Sequence, residues 1–225
     1  MGKIIKIITG VLGGIAFVLA TLAMAAYALG CLNYGSVLEG ERDSFGDEYS
    51  GRMVSDQFEG PVDIRFLGGD AYAGGFVKTF EGRGIFTSKE GWRCEALFKN
   101  GKVQGPALFT GPWGSYRGDL DTFALTGRGK FSSAAGWSYD GDWINGIPQG
   151  RGTFTWPDGA VYTGDFKDGL ADGRGTLINN SAWTYEGEFS GGIRNGLGVL
   201  QTGDGKIIEG RWEMGVLIQV IPLRS

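Results

Sequence analysis

A chain of 225 residues with 21 Lys and Arg against 25 Asp and Glu, a formal net charge of −4 and an isoelectric point near 5.0 carries no basic footprint for nucleic acid. It contains no histidine, which excludes His-dependent triads, histidine metal sites and imidazole acid/base chemistry. Its 43 glycines are more than twice the usual ~7 percent, a load that signals disorder unless it is periodic, while an aromatic content of 13% argues against disorder.

The first predicted element is a membrane span. From Ile7 to Leu29 the sequence "IITGVLGGIAFVLATLAMAAYAL" runs 23 residues without a charge. As a helix it would be ~34 Å long, enough to cross a bilayer. Lys3 and Lys6 precede the run, whereas Glu39, Glu41, Asp43, Asp47 and Glu48 follow it, offset by Arg42 alone. The Lys/Arg bias places the N-terminus in the cytoplasm and the remainder outside it. The apolar region of a cleaved signal peptide is typically ~7–15 residues, so a retained helix over residues 1–30 fits better. The competing reading takes "ALGC", Ala28 to Cys31, as a lipoprotein cleavage site with Cys31 lipidated, although Ala28 stands where such sites usually carry Leu. Residues 31–48 read as an acidic juxtamembrane linker.

From Tyr49 onward the chain repeats itself. Taking Tyr162 as position 0, Gly falls at +2, an acid at +3, an aromatic at +4, Gly at +7, +11 and +13, and Leu177 at +15. The same register fits starts at Tyr116, Tyr139 and Tyr185, and more loosely at Tyr49, Tyr72, Cys94 and Ile208, over residues 49–215. Periods of this length mark repeat architectures, in which each small unit takes its core from its neighbours. Positions 0, 2 and 4 alternate with 1 and 3, and 11, 13 and 15 with 12 and 14, which is strand periodicity. The Asp- and Gly-bearing stretch between them, such as Lys167 to Asp172, has turn chemistry.

Each unit therefore reads as a β-hairpin. A turn centred near +7 to +8 sets position 4 opposite 11, 2 opposite 13 and 0 opposite 15, so that Phe166 faces Gly173 and Tyr162 faces Leu177. It also pairs Asp119 with Arg128, Asp142 with Arg151, and Asp165 with Arg174 across each hairpin, with Glu188 against Leu197 as the exception. About fifteen strands at ~4.8 Å spacing give an elongated, twisted, single-layer antiparallel sheet ~70 Å long. Residues 216–225 supply a closing strand, "VLIQVI", and a tail in which Pro222 stops further pairing.

The units "YDGDWINGIPQGRGTF", "YTGDFKDGLADGRGTL" and "YEGEFSGGIRNGLGVL" resemble the membrane occupation and recognition nexus (MORN) repeat family. The resemblance spans roughly Tyr49 to Trp212. Phe123 replaces the +7 glycine after Tyr116, Cys94 replaces the opening Tyr of its unit, and "EGRGIF" after Tyr72 comes one residue early. The resemblance implies a sheet of successive hairpins that serves as a scaffold or binding surface, in a family associated with organising membranes and assemblies and in part with phospholipids.

No enzymatic constellation accompanies the repeats. Asp142, Asp165 and Glu188 recur along one face, but their regularity follows from the repeat rather than from a two-carboxylate glycosidase site. "GRGTFT" and "GRGTLI" lack the third glycine of a dinucleotide fingerprint and open no helix. The pairs Asp140 with Asp142 and Asp119 with Asp121 lack the loop of an EF-hand, and Cys31 and Cys94 make neither a disulfide framework nor a zinc spacing. We expect no enzyme, cofactor or metal. The aromatic ladder Tyr139, Trp143, Tyr162, Phe166, Tyr185, Phe189 and Trp212 is the expected partner-binding face, because a single-layer sheet has no second layer to cover it. These readings describe a single-pass membrane protein whose extracytoplasmic repeats scaffold other protein subunits of a membrane complex. The alternative is a protein that recognises envelope glycan or phospholipid headgroups through the same aromatics.

Overall fold

The computed structural model describes residues 47–54, 57–77, 79–121 and 124–222. The apolar run 7–29, Cys31 and all but the last two residues of the acidic linker lie outside the described residues. Among the described residues there is no helix, and the strands form one open antiparallel sheet of sixteen in the order of the chain. Two compact units divide at residues 126 and 127, and each is described by itself. Up to Thr126 the strands are β1 (Glu48–Val54), β2 (Gln57–Arg65), β3 (Ala71–Val77), β4 (Thr79–Thr87), β5 (Arg93–Lys99), β6 (Lys102–Gly111) and β7 (Gly114–Asp121). β8 (Ala124–Ser133) leads into the second unit, which continues with β9 (Ser138–Ile144), β10 (Ile147–Thr155), β11 (Val161–Lys167) and β12 (Leu170–Asn179). It ends with β13 (Trp183–Ser190), β14 (Ile193–Thr202), β15 (Ile207–Glu213) and β16 (Val216–Val220).

The hairpins are tighter than the uniform register predicts. In β11–β12, Lys167 stands opposite Leu170, so the turn is Asp168-Gly169 alone, both residues with positive φ (52° and 80°). That is a type I′ turn, whose twist suits a two-residue hairpin and which Asp-Gly or Asn-Gly adopts readily. Phe166 then pairs with Ala171, not with Gly173, whereas Gly164 still meets Gly175 and Tyr162 still meets Leu177. The register shift between the two sets places the two additional residues of β12 in a bulge. Gly173, at φ 108°, absorbs it and pairs with Phe189 of the following unit. The same shift recurs in β1–β2, β3–β4, β5–β6, β9–β10 and β13–β14.

The bulge corrects two of the expected charge pairs, Asp142 with Arg151 and Asp165 with Arg174. Arg151 stands opposite Asp165, Arg174 opposite Glu188, and Arg128 opposite Asp142, each Arg meeting the acid of a neighbouring unit; Asp119 stands opposite Pro106. Arg128 Nε lies 3.2 Å from Asp142 Oδ1, and Arg151 Nε lies 3.5 Å from Asp165 Oδ1. In the hairpins of Asp142, Asp165 and Glu188 the facing residues are joined differently, through the backbone. Arg151 N–H donates to Asp142 Oδ2 (3.0 Å), Arg174 N–H to Asp165 Oδ2 (3.0 Å), and Leu197 N–H to Glu188 Oε2 (2.8 Å). The acid thus satisfies an N–H that the bulge takes out of the ladder, which needs no arginine side chain. Leu197 consequently breaks no rule.

Successive hairpins are also joined at their tips. Gly169 N–H donates to Pro148 O, Gly192 N–H to Ala171 O and Gly215 N–H to Arg194 O, each turn reaching the preceding unit. Side chains reinforce this: Gln149 Nε2 donates to Asp168 Oδ1 (2.9 Å), and Gly191 N–H donates to Asp172 Oδ2 (3.1 Å).

Candidate functional site

The aromatic ladder is in place, but it is not an open face. Ring centroids alternate Trp143–Tyr139 (4.9 Å), Tyr139–Phe166 (4.9 Å), Phe166–Tyr162 (5.2 Å), Tyr162–Phe189 (4.9 Å), Phe189–Tyr185 (5.3 Å) and Tyr185–Trp212 (5.0 Å). All are edge-to-face, the arrangement favoured by the ring quadrupole. None of the seven is more than 7% exposed, so the predicted partner-binding surface is the core of residues 127–222. Each tyrosine is clasped by its own aromatic at +4 and by that of the next unit, and its remaining side lies on bare backbone. A Cβ added to Gly175 would fall 2.5 Å from both Cε2 and Cζ of Tyr162, and one added to Gly164 would fall 2.6 Å from its hydroxyl. The glycines at +2 and +13 are therefore the floor on which the ring rests.

At the far end of the ring, the hydroxyl donates to the carbonyl at +3: Tyr139 to Asp142 O (3.1 Å), Tyr162 to Asp165 O (3.0 Å) and Tyr185 to Glu188 O (3.2 Å). Tyr72 and Tyr116 do the same in the first unit, to Gly75 O and Asp119 O. Burial, then the nearby carboxylate, raises Tyr72 to about 12 and Tyr116, Tyr139 and Tyr162 further, while burial raises Tyr185 against the opposing charge of Arg194. Cys94 is an internal variation on the unit. Where it replaces tyrosine, Ala96 and Ala107 occupy the positions at +2 and +13, and all three are buried. Burial, helped by the Glu95 carboxylate, pushes the Cys94 thiol up to about 12, so it is no nucleophile at neutral pH.

A second aromatic row escaped the sequence reading. In the first unit Phe86, Trp92 and Phe109 stack at 5.4 and 5.1 Å, and in the second Phe131, Trp137 and Phe154 stack at 5.0 and 5.6 Å. The signal was present, since Trp92, Trp137 and Trp183 all stand two residues before a unit start. Beside Trp183 and Tyr185, the Arg194 guanidinium lies 5.3 and 5.4 Å from the ring centroids and donates to Gly215 O.

What remains accessible is the opposite face. An open groove of about 800 Å³ runs across β10 to β15, floored by Gly164, Gly175, Gly187 and Gly198. Its lining mixes charge and apolar surface, with Arg151, Arg174, Glu186 and Glu188 toward β10 and Leu197 and Val199, followed by Glu209, toward β15. A smaller groove of about 460 Å³ lies over β8 to β11, lined by Arg128, Lys130, Asp140 and Thr153 among others. The polarity changes position by position: +12 carries Arg128, Arg151 and Arg174 but then Leu197, and +14 carries Lys130, Thr153 and Thr176 but then Val199. Among the described residues, no group of three or more Cys, Asp or Glu side chains is placed to hold a metal ion.

The family model for the MORN repeat matches residues 139–161, 162–181 and 185–207. A comparison with curated proteins returns no match. Among solved structures, the chain is similar to the TCP10 domain of CPAP from Danio rerio, at 13% identity and a TM-score of 0.46, over 76% of this chain and 82% of that one. It is also similar to the TCP domain of SAS-4 (dCPAP) from Drosophila melanogaster, solved in complex with a proline-rich motif of Ana2 (dSTIL). There the identity is 11% and the TM-score 0.45, over 79% of this chain and 97% of that one.

Proposed function

We propose that the repeat sheet is a non-catalytic scaffold that holds a protein partner in the groove opposite the aromatic rings, and that residues 7–29 tether it to a membrane with the repeats on the extracytoplasmic side. The observation that carries the reading is the division of labour between faces. One face is consumed by Tyr139, Tyr162, Tyr185 and their covering rings, while the other keeps an 800 Å³ groove with a glycine floor and unlike walls. Such a groove suits an extended segment, because glycine backbone admits close approach and the walls offer both ion pairs and the apolar patch of Leu197 and Val199. The MORN match within residues 139–207 covers most of the groove-bearing strands, up to β14, and agrees with a scaffolding role. Asp142 and Asp165, the acids a carboxylate hydrolase would use, are each already engaged by a backbone N–H and an arginine.

The test uses the full chain in native membranes with a photocrosslinking residue placed singly at Thr176, at Val199 and, as a control outside the groove, at Asp158. A stoichiometric protein adduct at Thr176 and Val199 but not at Asp158 is the expected result. Adducts confined to Asp158, or none, would refute the groove. Adducts to lipid or glycan would transfer the same surface to the headgroup-binding alternative.

A further inference from the structure

Among the described residues β16 pairs on one side only, with β15, and its other edge has an unusual spacing. Glu213 and Val216 flank the two-residue turn Met214-Gly215, so their backbone groups bond to each other, and Ile221 N–H donates to Glu209 O. Bonded and non-bonded pairs alternate along an antiparallel ladder. Leu217, opposite Trp212, and Val220, opposite Gly210, therefore turn their N–H and C=O groups away from β15. In a regular strand such outward residues are two apart, but the register shift between Arg211 and Trp212 makes them three apart in β16. An ordinary strand cannot match both. Another β16, running antiparallel, can: Leu217 of one copy meets Val220 of the other, and the reverse, for four hydrogen bonds about a two-fold axis.

The side chains agree with that register. It sets Val216 beside Ile221 and Ile218 beside Gln219 of the other copy, and Val216, Ile218 and Val220 are 46%, 54% and 63% exposed. No Lys, Asp, Glu or Pro interrupts Val216–Val220, so the strand lacks the usual guards against edge pairing; Pro222 follows just beyond it. We propose that two copies of this chain associate through β16 in an antiparallel, isologous pairing that extends the sheet from one copy to the next. The contact is small, below the ~1,000 Å² expected of a stable interface, so the dimer is weak and concentration-dependent.

The test is sedimentation equilibrium of the full chain in density-matched detergent, with Cys31→Ser as the background. The dimer mass should appear with rising concentration, and Val220→Pro, which removes an outward N–H, should weaken the association about tenfold or more with the circular dichroism spectrum unchanged. Gln219→Cys should give a covalent dimer with a short bis-maleimide, whereas Asp158→Cys should not. A monomer at every concentration overturns the proposal, as does a dimer indifferent to Val220→Pro. If that variant misfolds, the cysteine pair decides: equal crosslinking at positions 158 and 219, or none at 219, overturns it.

Discussion

Replacing Gly175 by Ala tests the packing rule on which the whole sheet rests. The new methyl would stand 2.5 Å from Cε2 and Cζ of Tyr162, about 1 Å inside ordinary contact, and Gly175 has no positive φ to complicate the comparison. β12 is held between β11 and β13, so the ring must yield. Moving it breaks the hydroxyl bond to Asp165 O, worth about 1 kcal/mol. It also disrupts edge-to-face contacts with Phe166 and Phe189, about 1 kcal/mol each. We therefore expect a loss of roughly 3 kcal/mol, at the upper end of overpacking costs, measured by urea unfolding. Gly68→Ala is the control, since nothing lies within 4 Å of its added Cβ, and it should be neutral or slightly stabilising. In a Tyr162→Cys background, Gly175→Ala should cost less than about 1 kcal/mol, because the obstructing ring is gone. If Gly175→Ala matches Gly68→Ala, or costs the same with and without the ring, the glycines are not there for the tyrosines.

The bulge cap should outweigh the ion pair: Asp165→Ala, which strands the Arg174 N–H, should cost about 1–2 kcal/mol in urea unfolding, and Arg151→Ala, which removes an exposed salt bridge, no more than about 0.5 kcal/mol. Equal costs would assign the acid to the arginine instead. Alkaline unfolding should be steep, because Tyr72, Tyr116, Tyr139, Tyr162 and Tyr185 all have folded pKa values raised above the unfolded value near 10. Their contribution is intact below pH 10 and falls above it by about 1.4 kcal/mol per pH unit for each, until the folded pKa is reached. Tyrosinate absorbance and circular dichroism should change together, and five phenols titrating near pH 10 with the sheet intact would refute the buried, bonded hydroxyls. Met214→Asn should raise stability by about 0.5–1 kcal/mol in thermal unfolding, since Met214 holds φ 48° in a turn where Asn145 and Asp168 stand in other units.

The repeat was legible in sequence because its units are spaced by tyrosines and glycine pairs that a period-two strand brings to one face, and Gly164 does meet Gly175 while Tyr162 meets Leu177. The hairpin tip was misplaced for a physical reason. A wide turn with uniform register and a two-residue turn followed by a two-residue bulge give the same spacing at those two pairs and differ only beyond them. The dipeptides Asn145-Gly146 and Asp168-Gly169 mark the tight turn, whereas the nine-residue acid-to-arginine spacing fits either geometry. The accessible face is not the aromatic one, because a single-layer sheet can cover its rings with one another. Phe166 and Phe189 each cover a neighbour's tyrosine at about 5 Å, and glycine lets the ring lie flat. The groove itself had a sequence signal in the change from Arg174 and Thr176 to Leu197 and Val199, legible only once those positions were known to share a face.

Cys94, Ala96 and Ala107 carry a lesson about mutational history. A ring and the two glycines beneath it form a set of three whose members constrain one another, and a lineage moving between Tyr-Gly-Gly and Cys-Ala-Ala cannot take the steps in any order. Adding a methyl first drives it into the ring. Shrinking the ring first leaves a void that each later methyl helps to fill, so the two orders pass through different intermediates, one overpacked and one with a cavity. The return runs through the same steps reversed: both methyls must go before a tyrosine can take the place of Cys94.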